Sequence, residues 1–300
     1  MWTERFVFES PPQSICMPVR HQFMKTTTLI ILFILLLSSC NFEKDSVSRG
    51  ELLLENLEYE KAIEVFSNCL KTDSHDPLAL SLRASTYMEI NKFDLAIVDL
   101  ESAYQIDSTL SHMLVIYGSF YKSIDSNELA RDYFKKALIY DSANILAYNN
   151  LCADAIDEGK FNLAKVYIDK AISLNPKGSL LFINLAVIYW NLNLNDSAKI
   201  NFTRSTSTAM SKYQRFYAWL ARGKFYRDIG EPEKAIEDFT KAIELNQRSG
   251  QIFYERGLAY VRIKEYELAY EDLLIARRLK INQNIDGLIE EAKKLIKTGA

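Results

Sequence analysis

An alanine that returns at a fixed interval constrains this chain more than any other feature. Ala62, Ala96, Ala130, Ala164 and Ala198 are each 34 residues apart, and so are Ala235 and Ala269. One step differs: Ala198 to Ala235 is 37, which places three extra residues between otherwise regular blocks. A period of this size signals stacked units, each too small to bury its own core alone.

In register the blocks are 43–76, 77–110, 111–144, 145–178, 179–212, 216–249 and 250–283, with the alanine at position 20. Position 8 is small in every block: Gly50, Ala84, Gly118, Cys152, Ala186, Gly223 and Gly257. Position 27 is small as well, from Cys69 and Ala103 through Ser205 to Ala276. Position 24 is large and apolar: Phe66, Leu100, Phe134, Ile168, Phe202, Phe239 and Leu273. Tyrosine holds position 11 except at Leu53 and Ala155.

Positions 4, 7, 8 and 11 form one helical stripe, and 20, 24, 27 and 28 another. Between them, at position 15, stand the turn residues Asn91, Asp125, Gly159, Asn193 and Gly230. A small residue at 8 facing one at 20 lets two helix backbones approach, while residue 24 fills the space beside them. The expected fold is all-α, an α-solenoid (superhelix) of seven helix-turn-helix repeats. Ile285, Leu288, Ile289, Ala292, Leu295 and Ile296 recur at helical spacing after the last block, so 284–300 reads as a capping helix and tail.

The run Trp219…Gly223…Tyr226…Ala235…Phe239…Ala242 resembles the tetratricopeptide repeat family, whose repeats place an aromatic residue, Leu-Gly, Tyr, Ala, Phe, Ala and Pro at these offsets. The resemblance covers residues 43–283. It departs from the family where the terminal proline occurs only at Pro176, and where block 179–212 has Asn195 and Ser205. In that family the first helix of each hairpin lines a concave groove that binds a protein or peptide segment. Carried over residue by residue, the resemblance implies partner-binding roles for Asn149, Ile156, Ile183, Val187, Trp190, Asn191, Tyr217, Lys224, Arg227 and Tyr254, beside Leu146, Leu180, Leu220 and Arg262. The expected floor is apolar and aromatic with a basic C-terminal end, suited to a segment with an apolar anchor and acidic groups. Trp190 and Tyr217 are the expected anchors and Arg227 a charge contact. An alternative for Trp190 is packing on the neighbouring block. The lysine–asparagine clamp for a terminal carboxylate is not reproduced, because Asn149 is accompanied by Ala153.

Two positions vary together. Position 7 is arginine in four blocks (Arg49, Arg83, Arg222, Arg256), and in three of these position 23 is Asp99, Asp238 or Asp272. Where position 7 is Tyr117, Leu151 or Leu185, position 23 is Tyr133, Tyr167 or Asn201. The co-occurrence predicts an ion pair between the two helices of one hairpin.

The N-terminal stretch follows different rules. Residues 1–23 contain Pro11, Pro12 and Pro18 without periodicity and read as an upstream extension from a mis-called start. Met24-Lys25 then opens 24–39, where a basic residue precedes the apolar run Leu29–Leu37, as in a secretory signal. Leu37-Ser38-Ser39-Cys40 resembles the bacterial lipoprotein box, which implies lipidation of Cys40, a lipid tether at 40–42 and an anchored rather than spanning protein. Asn41 after the cysteine favours the outer membrane of a gram-negative envelope. Residues 26–39 as an uncleaved anchor helix are the alternative.

Chemistry is sparse. His21, His75 and His112 are scattered, no glycine-rich phosphate loop occurs, and no metal set or catalytic triad can be assembled. Asp154, Asp157 and Glu158 read as a solvated helix end. Asp-Ser-X triplets at 45–47, 107–109, 141–143 and 196–198 resemble an O-glycosylation signal, with turn chemistry as the other explanation. A net charge of −3 offers no basic stripe for nucleic acid. Cys69 and Cys152 read as packed thiols, three blocks apart and outside disulfide reach. The expectation is no enzyme, no cofactor, no metal and no nucleic acid. The membrane is engaged by a lipid anchor, a protein or peptide segment is the partner, and oligomeric state is open. The chain is thus a lipid-anchored envelope scaffold for export, assembly or surface organisation. A ligand-binding or sensing module that captures peptide or glycan is the alternative.

Overall fold

The structure, a computed structural model, describes residues 46–281 and 285–298. The upstream extension, the signal segment, Cys40 and the tether all lie outside these residues. Within them every regular element is a helix. Residues 46–55 form α1, followed by α2 Tyr59–Thr72, α3 Pro77–Glu89, α4 Phe93–Ile106, α5 Ser111–Ser123, α6 Asn127–Tyr140, α7 Ile145–Asp157 and α8 Phe161–Leu174. Then come α9 Ser179–Asn191, α10 Asn195–Thr208, α11 Lys212–Asp228, α12 Pro232–Leu245, α13 Gly250–Arg262, α14 Tyr266–Arg278 and α15 Asp286–Thr298. Pairs α1/α2 through α13/α14 are seven hairpins, numbered 1–7 below, each in the register set by the alanine. Among the described residues no helix is long and apolar enough to cross a membrane.

The packing follows the repeated small residues. All seven position-20 alanines are fully buried, and every position-24 residue is at most 1% exposed. A Cβ placed on Gly50, Gly118 or Gly223 would lie 2.3, 2.5 or 2.6 Å from the ring of Phe66, Phe134 or Phe239. Glycine is therefore required where a phenylalanine ring lies flush against the first helix. Ala84 and Cys152 face the smaller Leu100 and Ile168; hairpin 5 alone combines a Cβ, on Ala186, with a ring, Phe202. The substitutions in hairpin 5 leave its packing regular. Ser205 is buried, its hydroxyl donates to the Phe202 carbonyl at 2.7 Å, and its own carbonyl accepts from Ser179 Oγ at 2.8 Å.

Each hairpin turns in the same way. Position 15 has a positive φ in all seven: 58° at Asn91, 60° at Asp125, 70° at Gly159, 58° at Asn193 and 83° at Gly230, as the turn residues lead one to expect. Leu57 (63°) and Lys264 (65°) adopt it too, although their side chains disfavour it. The left-handed residue lets the amide of position 16 return to the carbonyl of position 11, as in Lys92 N to Tyr87 O at 2.9 Å and Glu265 N to Tyr260 O at 3.0 Å.

The three extra residues are absorbed as helix. α11 has 17 residues where α3, α5, α7, α9 and α13 have 13, so it starts one turn early. Ser211 caps it, accepting from Gln214 N at 3.2 Å. Successive first helices (α3, α5, α7, α9, α11, α13) pack on one another, whereas second helices are held apart, so the first helices form the inner side of the curve. α15 packs on α14 with Ile289 and Ala292 buried, as expected of a cap.

Candidate functional site: the inner face of the first helices

Three hairpins are fastened by an Arg–Asp clamp between their two helices. Arg83 donates through Nε and Nη2 to the two oxygens of Asp99 at 2.7 and 2.8 Å, and Arg222–Asp238 and Arg256–Asp272 repeat the geometry. All three aspartates are buried. The remaining Nη1 donates to a hydroxyl on the second helix of the preceding hairpin: Ser67 at 3.1 Å, Thr206 at 3.0 Å, Thr240 at 3.0 Å. Each clamp thus ties three helices, one more than the paired residues suggested. In hairpin 3 the same two positions carry Tyr117 and Tyr133, stacked at 4.7 Å.

The residues assigned to partner binding fall into two groups. Along hairpins 4 and 5, Leu146 is 44% exposed and Asn191 is exposed, while Ile156, Leu180, Ile183 and Val187 are half-buried. Asn149 accepts from Asn184 Nδ2 at 2.9 Å, which links α7 to α9. Trp190 packs edge-on to Phe225 at 5.8 Å and to Phe202 at 6.4 Å, so it joins hairpins 5 and 6 as well as facing the groove. Removing its ring will therefore disturb packing, so the neighbour-packing alternative for Trp190 holds beside the groove position.

The second group, in hairpins 6 and 7, differs from expectation. Arg227 is 13% exposed and forms ion pairs with Asp228 at 2.7 Å and with the buried Glu255. Lys224 stands 3.7 Å from Glu255, and burial together with the Arg227 charge lowers its pKa. The expected basic end of the groove is thus largely neutralised from within. Glu255 escaped the sequence reading because it sits at position 6, outside the groove positions of the family. Tyr254 is half-buried against the same core, and Arg262 is exposed.

Tyr217 is not an open groove residue. Its ring lies tilted against that of Tyr213, centroids 4.6 Å apart, and both approach Glu89 of hairpin 2 and Tyr59 of hairpin 1. Glu89 accepts hydrogen bonds from Tyr59 and Tyr213; burial holds its carboxyl above the usual range, against the pull of those hydroxyls. Burial likewise raises Tyr217 and Tyr213. Beside this cluster Arg248 pairs with Glu60, and Leu57 packs on the C-terminal core. The superhelix thus curves until its first two hairpins touch hairpins 6 and 7.

One acidic residue of hairpin 4 also proves to be built in. Asp154 is 3% exposed, bound by Arg131 at 2.6 Å and Lys122 at 3.4 Å, while Lys122 reaches Asp157 at 2.8 Å and Arg131 also pairs with Glu158. Asp154 is therefore part of an inter-hairpin network in which two cations from hairpin 3 replace water, while Asp157 and Glu158 stay at the exposed helix end expected of them. Asp107 and Asp141 accept from the amides of Thr109 and Ala143 at 2.8 and 3.0 Å, so turn chemistry uses both. Cys69 and Cys152 are buried, and burial pushes the Cys152 thiol up to about 12. Among the described residues no three His, Cys, Asp or Glu side chains are grouped to hold a metal.

Comparison with known proteins agrees with this architecture. Family models described as tetratricopeptide repeat match residues 216–249 and 155–177. Human tetratricopeptide repeat protein 6 is 25% identical over 191 residues, 62% of this chain and 36% of its own length. DnaJ homolog subfamily C member 3 of Bos taurus is 20% identical over 278 residues, 83% of this chain and 47% of its own. The chain thus spans less than half the length of either relative. A tetratricopeptide repeat protein of Parabacteroides merdae superposes with a TM-score of 0.56 at 18% identity, over 84% of this chain and 98% of that one. A human IFIT1 dimer with PPP-AAAA gives 0.65 at 17% identity, over 86% and 65%. Residues 216–249 and 155–177 thus match tetratricopeptide repeats, and the shared fold shows the molecule to be an all-helical solenoid of stacked helix hairpins.

Proposed function

We propose that this protein is a non-catalytic, lipid-anchored scaffold of the bacterial cell envelope that binds a protein or peptide segment along the inner face of its first helices. Cys40 carries the lipid, and the outer membrane is the site of anchoring. One observation carries the binding reading: along hairpins 4 and 5 the inner face presents Leu146, Leu180, Ile183 and Val187, while Lys224 and Arg227 of hairpin 6 are engaged by the buried Glu255. Such a surface suits a segment that inserts apolar side chains, with little call for acidic ones.

A photo-crosslinking residue at Leu146 or Asn191, with one on the outer face at Val166 (64% exposed) as control, tests the site. Adducts from the inner positions only are expected; adducts from Val166 only would move the site outside. Cys40→Ser is expected to release the solenoid from membranes or leave the precursor uncleaved. Mature protein still containing an intact segment 24–40 by mass spectrometry would rule the anchor out.

A further inference from the structure

We propose that the contact between hairpins 1–2 and hairpins 6–7 is a latch: it closes the superhelix on itself and must open to admit a partner to the full inner face. What the opening admits rests on the binding reading above; the opening itself does not.

Three observations carry it. The contact covers inner-face positions. Glu89 and Tyr217 stand at positions 13 and 2 of their repeats, and the chain's own aromatic residues now occupy the space before them. The two irregularities of the repeat also meet here. The additional turn of α11 supplies Tyr213, one turn before Tyr217, at a place no 13-residue first helix reaches. Leu57 stands where five of the other turns have Asn, Asp or Gly and one has Lys264, accepts the same left-handed φ at 63°, and packs its side chain on the C-terminal core. The left-handed φ is common to all seven turns; what sets Leu57 apart is an apolar side chain that meets a distant repeat.

The contact is also thin. Among helices α2 to α15, no two across it pack as successive repeats do, so the contact rests on side chains reaching between them. Between the two ends remains a cleft of about 1110 Å³, lined by Ile63, Tyr87 and Lys92 on one side and Phe216, Gln251 and Ile281 on the other. Glu60 and Arg248 are 62% and 71% exposed, so their attraction is screened and weak. Opening therefore breaks no hairpin and no clamp. Small rotations between successive repeats, summed along the solenoid, are enough to separate its ends.

The test uses the full chain with Glu60→Cys and Arg248→Cys. On treatment with a short bismaleimide, residues 60 and 248 of one molecule are expected to become linked, identified by the mass of the joined peptides. Such a linker spans about the reach of the Glu and Arg side chains it replaces, rather than the roughly 7 Å limit of a disulfide. Adding Tyr213→Ala, or separately Leu57→Gly, is expected to slow the linkage about tenfold while the helical circular dichroism signal is kept. No linkage, linkage between two molecules, or linkage undiminished in both variants would overturn the latch. Since no partner enters this readout, a failed latch and a groove that binds nothing are distinguishable. The linked chain, carrying the photo-crosslinking residue at Leu146, is then expected to give about tenfold fewer adducts than the unlinked chain. Equal adduct yields would show that the contact does not gate the inner face.

Discussion

Hairpins 2, 6 and 7 hold their helices with a buried Arg–Asp clamp, whereas hairpin 3 fills the same two positions with stacked Tyr117 and Tyr133. Both arrangements reach back to the preceding second helix. The clamps do so through Ser67, Thr206 or Thr240, and the tyrosines through Tyr104, at 5.8 and 6.2 Å. The backbone is the same; the consequences of damage are not. A clamp that loses its aspartate strands a guanidinium away from water, whereas a stack that loses a ring loses contact area only.

The largest predicted effect separates these two solutions. Asp238→Ala should cost roughly 3–5 kcal/mol in urea unfolding, and Tyr133→Ala, at a half-buried site, about 2 kcal/mol. Replacing Arg222 and Asp238 together by tyrosine, as in hairpin 3, should restore much of the loss. Equal costs for the two single changes would erase the distinction.

A smaller effect compares first-helix glycines. Gly223→Ala pushes a methyl into the Phe239 ring and should cost about 1–3 kcal/mol in thermal unfolding. Gly257→Ala meets Leu273 at 3.1 Å, where a flexible side chain can yield, and should cost clearly less. The turns give a third contrast. Lys264→Gly should raise stability by roughly 1 kcal/mol by removing the left-handed strain. Leu57→Gly should gain less, because it also gives up the contact with the C-terminal core.

The smallest effect separates the seam from the hairpins. Glu89 has a raised pKa when the seam is closed, so closing takes up protons. Its contribution to closure is fully present below the ordinary carboxyl value of 4.5 and is lost as pH rises through the raised value. The groups facing it are Tyr59 on α2 and Tyr213 and Tyr217 on α11, with Glu60, Lys92 and Arg248 lining the adjoining cleft. The maximum dimension from small-angle scattering should grow with pH over that window in the parent and stay flat in Glu89→Gln. A parent that also stays flat would remove Glu89 from the closure.

Much of the fold was legible because burial repeats. Positions 8, 20 and 24 are constrained by the same helix crossing seven times, so their residue types recur; the Arg–Asp pairs were legible because the aspartate occurs at position 23 only where arginine holds position 7. The third clamp partner was hidden, since Ser67 and Thr240 are hydroxyl residues of a kind common on any helix. The inner face was read only in outline. Its positions come from a local rule, whereas the neutralising Glu255 and the meeting of Glu89 with Tyr213 depend on neighbouring repeats and on curvature accumulated over several of them. The irregular spacing before Ala235 and the leucine at position 15 were the visible traces of that meeting, and neither carries a meaning until the chain is curved.

The uniform turn at position 15 also bears on how such a solenoid can be altered. Its closing hydrogen bond runs from main chain to main chain, as at Lys92 and Glu265, and uses no side chain. Each tip is therefore available for a contact at a conformational cost of only about 1–2 kcal/mol. Because the tips recur once per repeat, they amount to evenly spaced grafting points along the superhelix. A designer could load them with chosen recognition residues while leaving the core sequence untouched.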